Sequence, residues 1–131
     1  MDDNYKKVKS YIYELGYDIH HENEAEGIIV LNYEPSGIKN LVIGCASPIL
    51  IMEQFILEIK NESASMLKKL LQKNRDIIHG AFVLDEVGDK LIFRDTLQLE
   101  SLDLNELEAS INSLSLLLSE YSTELIGFSK N

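Results

Sequence analysis

The strongest constraint on the fold lies between Gly80 and Tyr121. Two β-rich runs, Ala81–Asp85 and Lys90–Thr96, flank the polar turn Glu86-Val87-Gly88-Asp89 and read as a hairpin. A long amphipathic segment follows almost at once. Asp103 and Glu106 have the spacing of an acidic capping box. Beyond them Leu107, Ile111, Leu114, Leu118, Tyr121 and Leu125 recur at alternating helical steps and form one apolar stripe. A sheet that buries one face under such a stripe is the core of a small α+β domain.

The rest of the chain supplies partners for this unit. Asp2, Asp3 and Asn4 offer caps for a first helix, whose stripe is Tyr5, Val8, Ile12 and Leu15 and whose stop is Gly16. A short strand follows, with Tyr17, Ile19 and His21 on one face and Asp18 and His20 on the other. Residues 22–27 form a polar turn, and 28–33 are β-branched and apolar on both faces. Glu34-Pro35-Ser36-Gly37 suits a type I turn. A strand over 38–45 then breaks at Ala46-Ser47-Pro48.

Residues 49–59 are apolar apart from Glu53, Gln54 and Glu58 and show neither period cleanly. Their isoleucines and the odd-numbered set Ile49, Ile51, Phe55, Leu57 and Ile59 favour a strand, with helix as the alternative. Asn61 or Ser63 caps a short second helix carrying Met66, Leu67, Leu70 and Leu71 and ending near Asn74. Gly127 is expected to stop the last helix, with a tail beyond it. The order is therefore α-β-β-β-β-α-β-β-α, an α+β fold with a mostly antiparallel, meandering sheet. The N- and C-terminal helices are expected on one face of it. With no linker or repeat, residues 1–131 are expected to form a single domain.

The balance of 22 acidic against 12 basic residues gives a formal net charge of -10. Such a field repels phosphate backbones and anionic membranes, which argues against nucleic-acid and membrane-surface roles. It serves solubility, or the attraction of a basic partner. The apolar run from Pro48 to Ile59 is interrupted by Glu53 and Gln54 and falls short of the roughly 20 residues needed to span a bilayer. The single cysteine, Cys45, excludes an internal disulfide and fits a reducing compartment, so a cytoplasmic protein is expected.

Chemistry-bearing residues are sparse. His20 and His21 are neighbours on a strand and point apart, and His79 brings no metal-ligand spacing with it. Cys45 ends an apolar strand and reads as a small core residue. The glycines lie singly, without the pattern of a phosphate-binding loop. Carboxylates such as Glu22, Glu24, Asp85, Asp89 and Asp103 fall in turns and helix starts, where solvated acids belong. No catalytic, cofactor-binding or metal-ligating set can be assembled, and a non-enzymatic protein without cofactor is expected.

One feature points outward. Leu50, Met52 and Ile56 occupy the even-numbered side of the 49–59 strand, whose odd side is already apolar. Either the second helix buries them through Met66 and Leu70, or they form a partner-binding or self-association surface in which Met supplies an adaptable contact.

From Lys68 onward the chain resembles the YbjN-like domain, whose fold is that of the type III secretion (Tir) chaperones. The resemblance rests on L-L-Q-K-N at 70–74, G-A-F-V-L-D at 80–85, G-D-K-L-I-F-R at 88–94 and L-D-L-N-E-L at 102–107. The long uninterrupted 49–59 segment departs from it. The resemblance implies a cytoplasmic homodimer that holds a protein or peptide client in extended form and uses no nucleotide. Two other readings stand beside it. One is an acidic immunity-type inhibitor of a basic toxin; the other is a small-ligand-binding domain with a concave pocket.

Overall fold

The computed structural model describes residues 3–60 and 63–130. The cap candidates Asp2 and Asn61 lie outside the described residues, as does Asn131. Helix α1 (Asp3–Leu15) precedes strands β1 (Asp18–Asn23), β2 (Ile28–Tyr33), β3 (Ile38–Ala46) and β4 (Ile49–Glu58). Helix α2 (Ala64–Asn74), strands β5 (Ala81–Leu84) and β6 (Lys90–Gln98) and helix α3 (Leu104–Lys130) complete the order. The strands form one six-stranded sheet, ordered β1-β2-β3-β4-β6-β5, with every neighbouring pair antiparallel. It departs from a strict meander once. After β4 the chain runs through α2 to the far edge, and β6 returns to fill the gap between β4 and β5.

Local chemistry accounts for most boundaries. The Ser63 side chain accepts the Met66 N–H at 3.1 Å and starts α2. Asp103 accepts the Glu106 N–H at 2.8 Å and starts α3. The β5–β6 turn closes on the Asp85 carboxylate, which accepts the N–H groups of Gly88, Asp89 and Lys90, each at 3.0 Å. Before β5, a side chain on Gly80 (φ 90°) would collide with the Phe93 ring, so only glycine fits there. Helix α3 does not stop at Gly127, because one helical glycine costs only about 1 kcal/mol and Leu125 and Phe128 on either side pack on the core.

All three helices feed one core. Tyr5, Val8 and Ile12 of α1, Met66 and Leu70 of α2, and Leu107, Ile111 and Leu114 of α3 join the inward residues of the sheet. On the sheet side these are Ile29, Leu31, Leu41, Ile43, Leu50, Met52, Leu91 and Phe93. Strand β4 places Leu50, Met52 and Gln54 inward. The β4–β6 register then shifts between Phe55 and Leu57, so that Leu57 and Ile59 are buried as well.

Two consequences are measurable. Leu114 is fully buried whereas Leu118 is only partly so. Leu114→Ala is therefore expected to cost about 2–5 kcal/mol in urea denaturation, and Leu118→Ala distinctly less. The three backbone N–H donors, that of Lys90 foremost, hold the Asp85 carboxyl below its ordinary value of 3.8. A depressed folded-state value contributes stability that is complete above the unfolded value and is lost as pH falls through the folded one. Asp85→Asn is expected to lower the urea midpoint at neutral pH. That deficit should shrink as the pH drops below about 4, which acid titration of both proteins will read directly.

Candidate functional site

The three described α-helices pack on one side of the sheet, and no described α-helix covers the other face. Ladder register identifies the residues there. Val30 faces Val42, which faces Glu53, which faces Arg94. One step along, Ile28 faces Gly44, which faces Ile51 and then Thr96. Toward the other end Phe55 lies opposite Ile92, which lies opposite Val83. The outward side chains are thus mostly apolar and poorly covered, with Phe55 54% exposed, Val42 39% and Ile49 37%.

The partner-binding set expected from the sequence is corrected here. Leu50 and Met52 are fully buried in the core, beneath α3, where the Ser110 hydroxyl lies 3.3 Å from the Met52 sulfur. Ile56 is half-buried at the β4 irregularity, in a shallow groove with Leu118, Leu125 and Ile126 of α3. The second helix does not cover a second face; Met66 and Leu70 enter the same core. The open apolar surface belongs instead to Ile49, Ile51 and Phe55, the odd-numbered residues ahead of the register shift, whereas Leu57 and Ile59 beyond it are buried. Both sides of β4 are apolar in sequence, so a one-residue choice of register inverts the assignment.

Near the centre of the open face Arg94 pairs with Glu53, each about two-fifths exposed. Beside this pair an open notch of about 340 Å³ is lined by Ile28, Val42, Gly44 and Ile51, with Glu26 on its rim. A second depression, on the helical side, lies between the α2–β5 connection and α3. It measures about 200 Å³, and Ile78 (88% exposed) and Leu116 (68%) stand over it.

Among the described residues the reactive side chains do not converge. His20 and His21 are both exposed on the edge strand β1, and the backbone carbonyl of His79 accepts the Ser113 hydroxyl at 2.7 Å. Cys45 is partly buried against the core. Among the described residues no three His, Cys, Asp or Glu side chains could hold a metal ion together. No described helix is long and apolar enough to cross a membrane. A wider depression, about 630 Å³, is open to solvent, with His20, Asn32, Glu34, Ile38, Lys39 and Asn40 around it.

This antiparallel sheet, with its described α-helices on one side, is the fold of a known family. The CesT_Tir_1 family matches residues 1–131, and the chain belongs to this family of type III secretion chaperones. Its fold is shared by YbjN from E. coli, at 13% identity and a TM-score of 0.67 over 91% of each chain. The ExsC–ExsE complex provides a second match, at 17% identity and a TM-score of 0.69 over 95% of this chain and 97% of that one. The Yersinia pestis secretion chaperone SycH, solved with a fragment of YscM2, is a third, at 16% identity and a TM-score of 0.63 over 96% and 99%. Comparison with curated proteins gives no match.

The assignment of faces has a direct check. Met52→Asp places a charge in the core and is expected to unfold the protein or cost several kcal/mol. Ile51→Asp, one residue away on the open face, is expected to leave the far-UV circular dichroism and melting temperature nearly unchanged. Equal damage from both would show that the open face is covered.

Proposed function

We propose that the chain is a non-enzymatic, chaperone-type binding module. It holds an extended segment of a client polypeptide on the open face of its sheet, acts in the cytoplasm as a homodimer, and uses residues 1–131 as one unit. The observation that carries this reading is the apolar outer face of a six-stranded sheet with no helix over it, in a member of a chaperone family. Uncovered apolar area is unfavourable in water by about 25 cal/mol per Å², so a partner that covers it is stabilised. Structures of the same fold include the HopA1–SchA chaperone–effector complex, the ExsC–ExsE complex and SycH with a fragment of YscM2, each a member of this fold with a protein bound.

Self-association is assigned to the helical side, where Ile78 and Leu116 stand exposed over their cleft. This leaves the sheet face of each subunit to the client. The test combines light scattering at micromolar concentration with capture of client from extract of the native cell. Wild type is expected to be a dimer that captures a defined partner. Leu116→Asp is expected to become monomeric, and Phe55→Asp to stay dimeric and lose capture. A monomeric wild type would overturn the dimer. Undiminished capture by Phe55→Asp would overturn the sheet face as the client surface.

A further inference from the structure

Gly44 sits inside β3, paired on both sides, with Ile28 on one neighbour and Ile51 on the other. A glycine in a strand interior weakens the strand and needs a reason. Backbone conformation does not supply one, since Gly44 is not among the residues with positive φ. Crowding does not either. A side-chain carbon built there would meet the Ile28 Cδ1 at 3.6 Å and the Ile51 carbonyl oxygen at 3.9 Å, both ordinary contacts. What the missing side chain does create is the notch of about 340 Å³, floored by Gly44 and walled by Ile28, Val42 and Ile51. Its rim carries Glu26 on one side and the Glu53–Arg94 pair on the other, which leaves it with a net negative charge.

We infer that the Gly44 notch takes one bulky apolar side chain of an extended client segment, and that basic residues flank that side chain in the client. This deepens the reading of the open sheet face as a client surface and rests on it. Charge decides between occupants. A second copy of this chain brings the same acidic rim and a net charge of -10 to the contact, whereas a segment with lysine or arginine beside its anchor meets carboxylates. Arg94 at the far side is already paired with Glu53 and does not repel such a segment.

The experiment uses fluorescein-labelled nine-residue peptides in fluorescence anisotropy with the full chain. The probe has the alternating sequence Val-Thr-Lys-Thr-Leu-Thr-Lys-Thr-Val, which puts the lysines on the same face as the central Leu; one control has Ser for the central Leu, another has Glu for every Lys. Wild type is expected to bind the probe about tenfold or more tighter than either control. Gly44→Ala should weaken the probe partly, and Gly44→Val should abolish the preference for Leu over Ser. Both variants should melt at or above the wild-type temperature, because a strand gains from replacing glycine with a side chain that fits. Equal binding of probe and Ser control by wild type, or no binding of the probe, overturns the notch. So does undiminished preference in a folded Gly44→Val. If Phe55→Asp abolishes binding while Gly44→Val does not, the sheet face stands as the client surface and the notch alone falls. A change of oligomeric state in Gly44→Val assigns the notch to a second copy and overturns the client side chain.

Discussion

Strand β4 must satisfy two demands that a regular strand cannot meet together. Its first half directs Leu50, Met52 and Gln54 into the core, so strict alternation would send Ile56 and Glu58 inward next. Burying the Glu58 carboxylate there without a partner would cost several kcal/mol. The irregularity between Phe55 and Leu57 removes that conflict. It returns Leu57 and Ile59 to the core, leaves Glu58 exposed, and keeps Phe55 on the open face. The shift acts where β4 pairs with β6, placing Leu57 opposite Leu91 and Glu58 opposite Lys90.

Polar side chains complete the sheet where backbone pairing gives out. The β3–β4 ladder ends at Val42 and Glu53, and below it the two strands diverge. The buried Gln54 amide spans the gap, accepting the Lys39 N–H at 3.0 Å and donating to the Gly37 carbonyl at 3.1 Å. Both ends of this buried amide are satisfied, which removes the penalty of burying it. At the far edge the Asn74 side chain at the end of α2 accepts the Phe82 N–H at 2.7 Å and donates to its carbonyl at 3.1 Å. It occupies the outer backbone groups of β5 and blunts that edge against further strand pairing.

What the sequence made legible follows from how local each signal is. The stripes of α1 and α3, the Ser63 and Asp103 caps and the β5–β6 hairpin depend on residues within one or two turns of each other, and all appear where periodicity and capping chemistry put them. The face of β4 was hidden, because apolar residues on both sides erase the alternation that reveals register. The candidate trio Leu50, Met52 and Ile56 inherited that ambiguity, and the residues that face outward are Ile49, Ile51 and Phe55. The Gln54 and Asn74 bonds join residues brought together only by the fold, and nothing in their sequence neighbourhood announces them. The position of β6 between β4 and β5 is likewise a decision of tertiary packing. Gly44 carried a signal that could have been used: a glycine inside an apolar strand, before the Ser47-Pro48 turn begins, is a reason to look for a close approach.

The Glu53–Arg94 pair gives the open face its internal division. At about two-fifths exposure each, these charges are well hydrated in the empty protein, where such a pair is worth about 1 kcal/mol at most. Covering them with an apolar segment would strip that hydration, and the loss grows faster than the attraction between them. Contact is therefore cheapest on either side of the pair. One side is the notch around Gly44 and Ile51, and the other is the cluster of Phe55, Ile92 and Val83. Ile51 and Phe55 are four residues apart along one strand, or roughly 13 Å at about 3.3 Å per residue. An extended chain running along β4 spans that distance with the same number of residues, so its own alternation brings two apolar side chains down on the two halves at once. The polar residue between them lies over the ion pair. An α-helix rises only about 1.5 Å per residue and would need more than twice as many residues to reach both. The spacing of this surface thus matches an extended segment better than a helix.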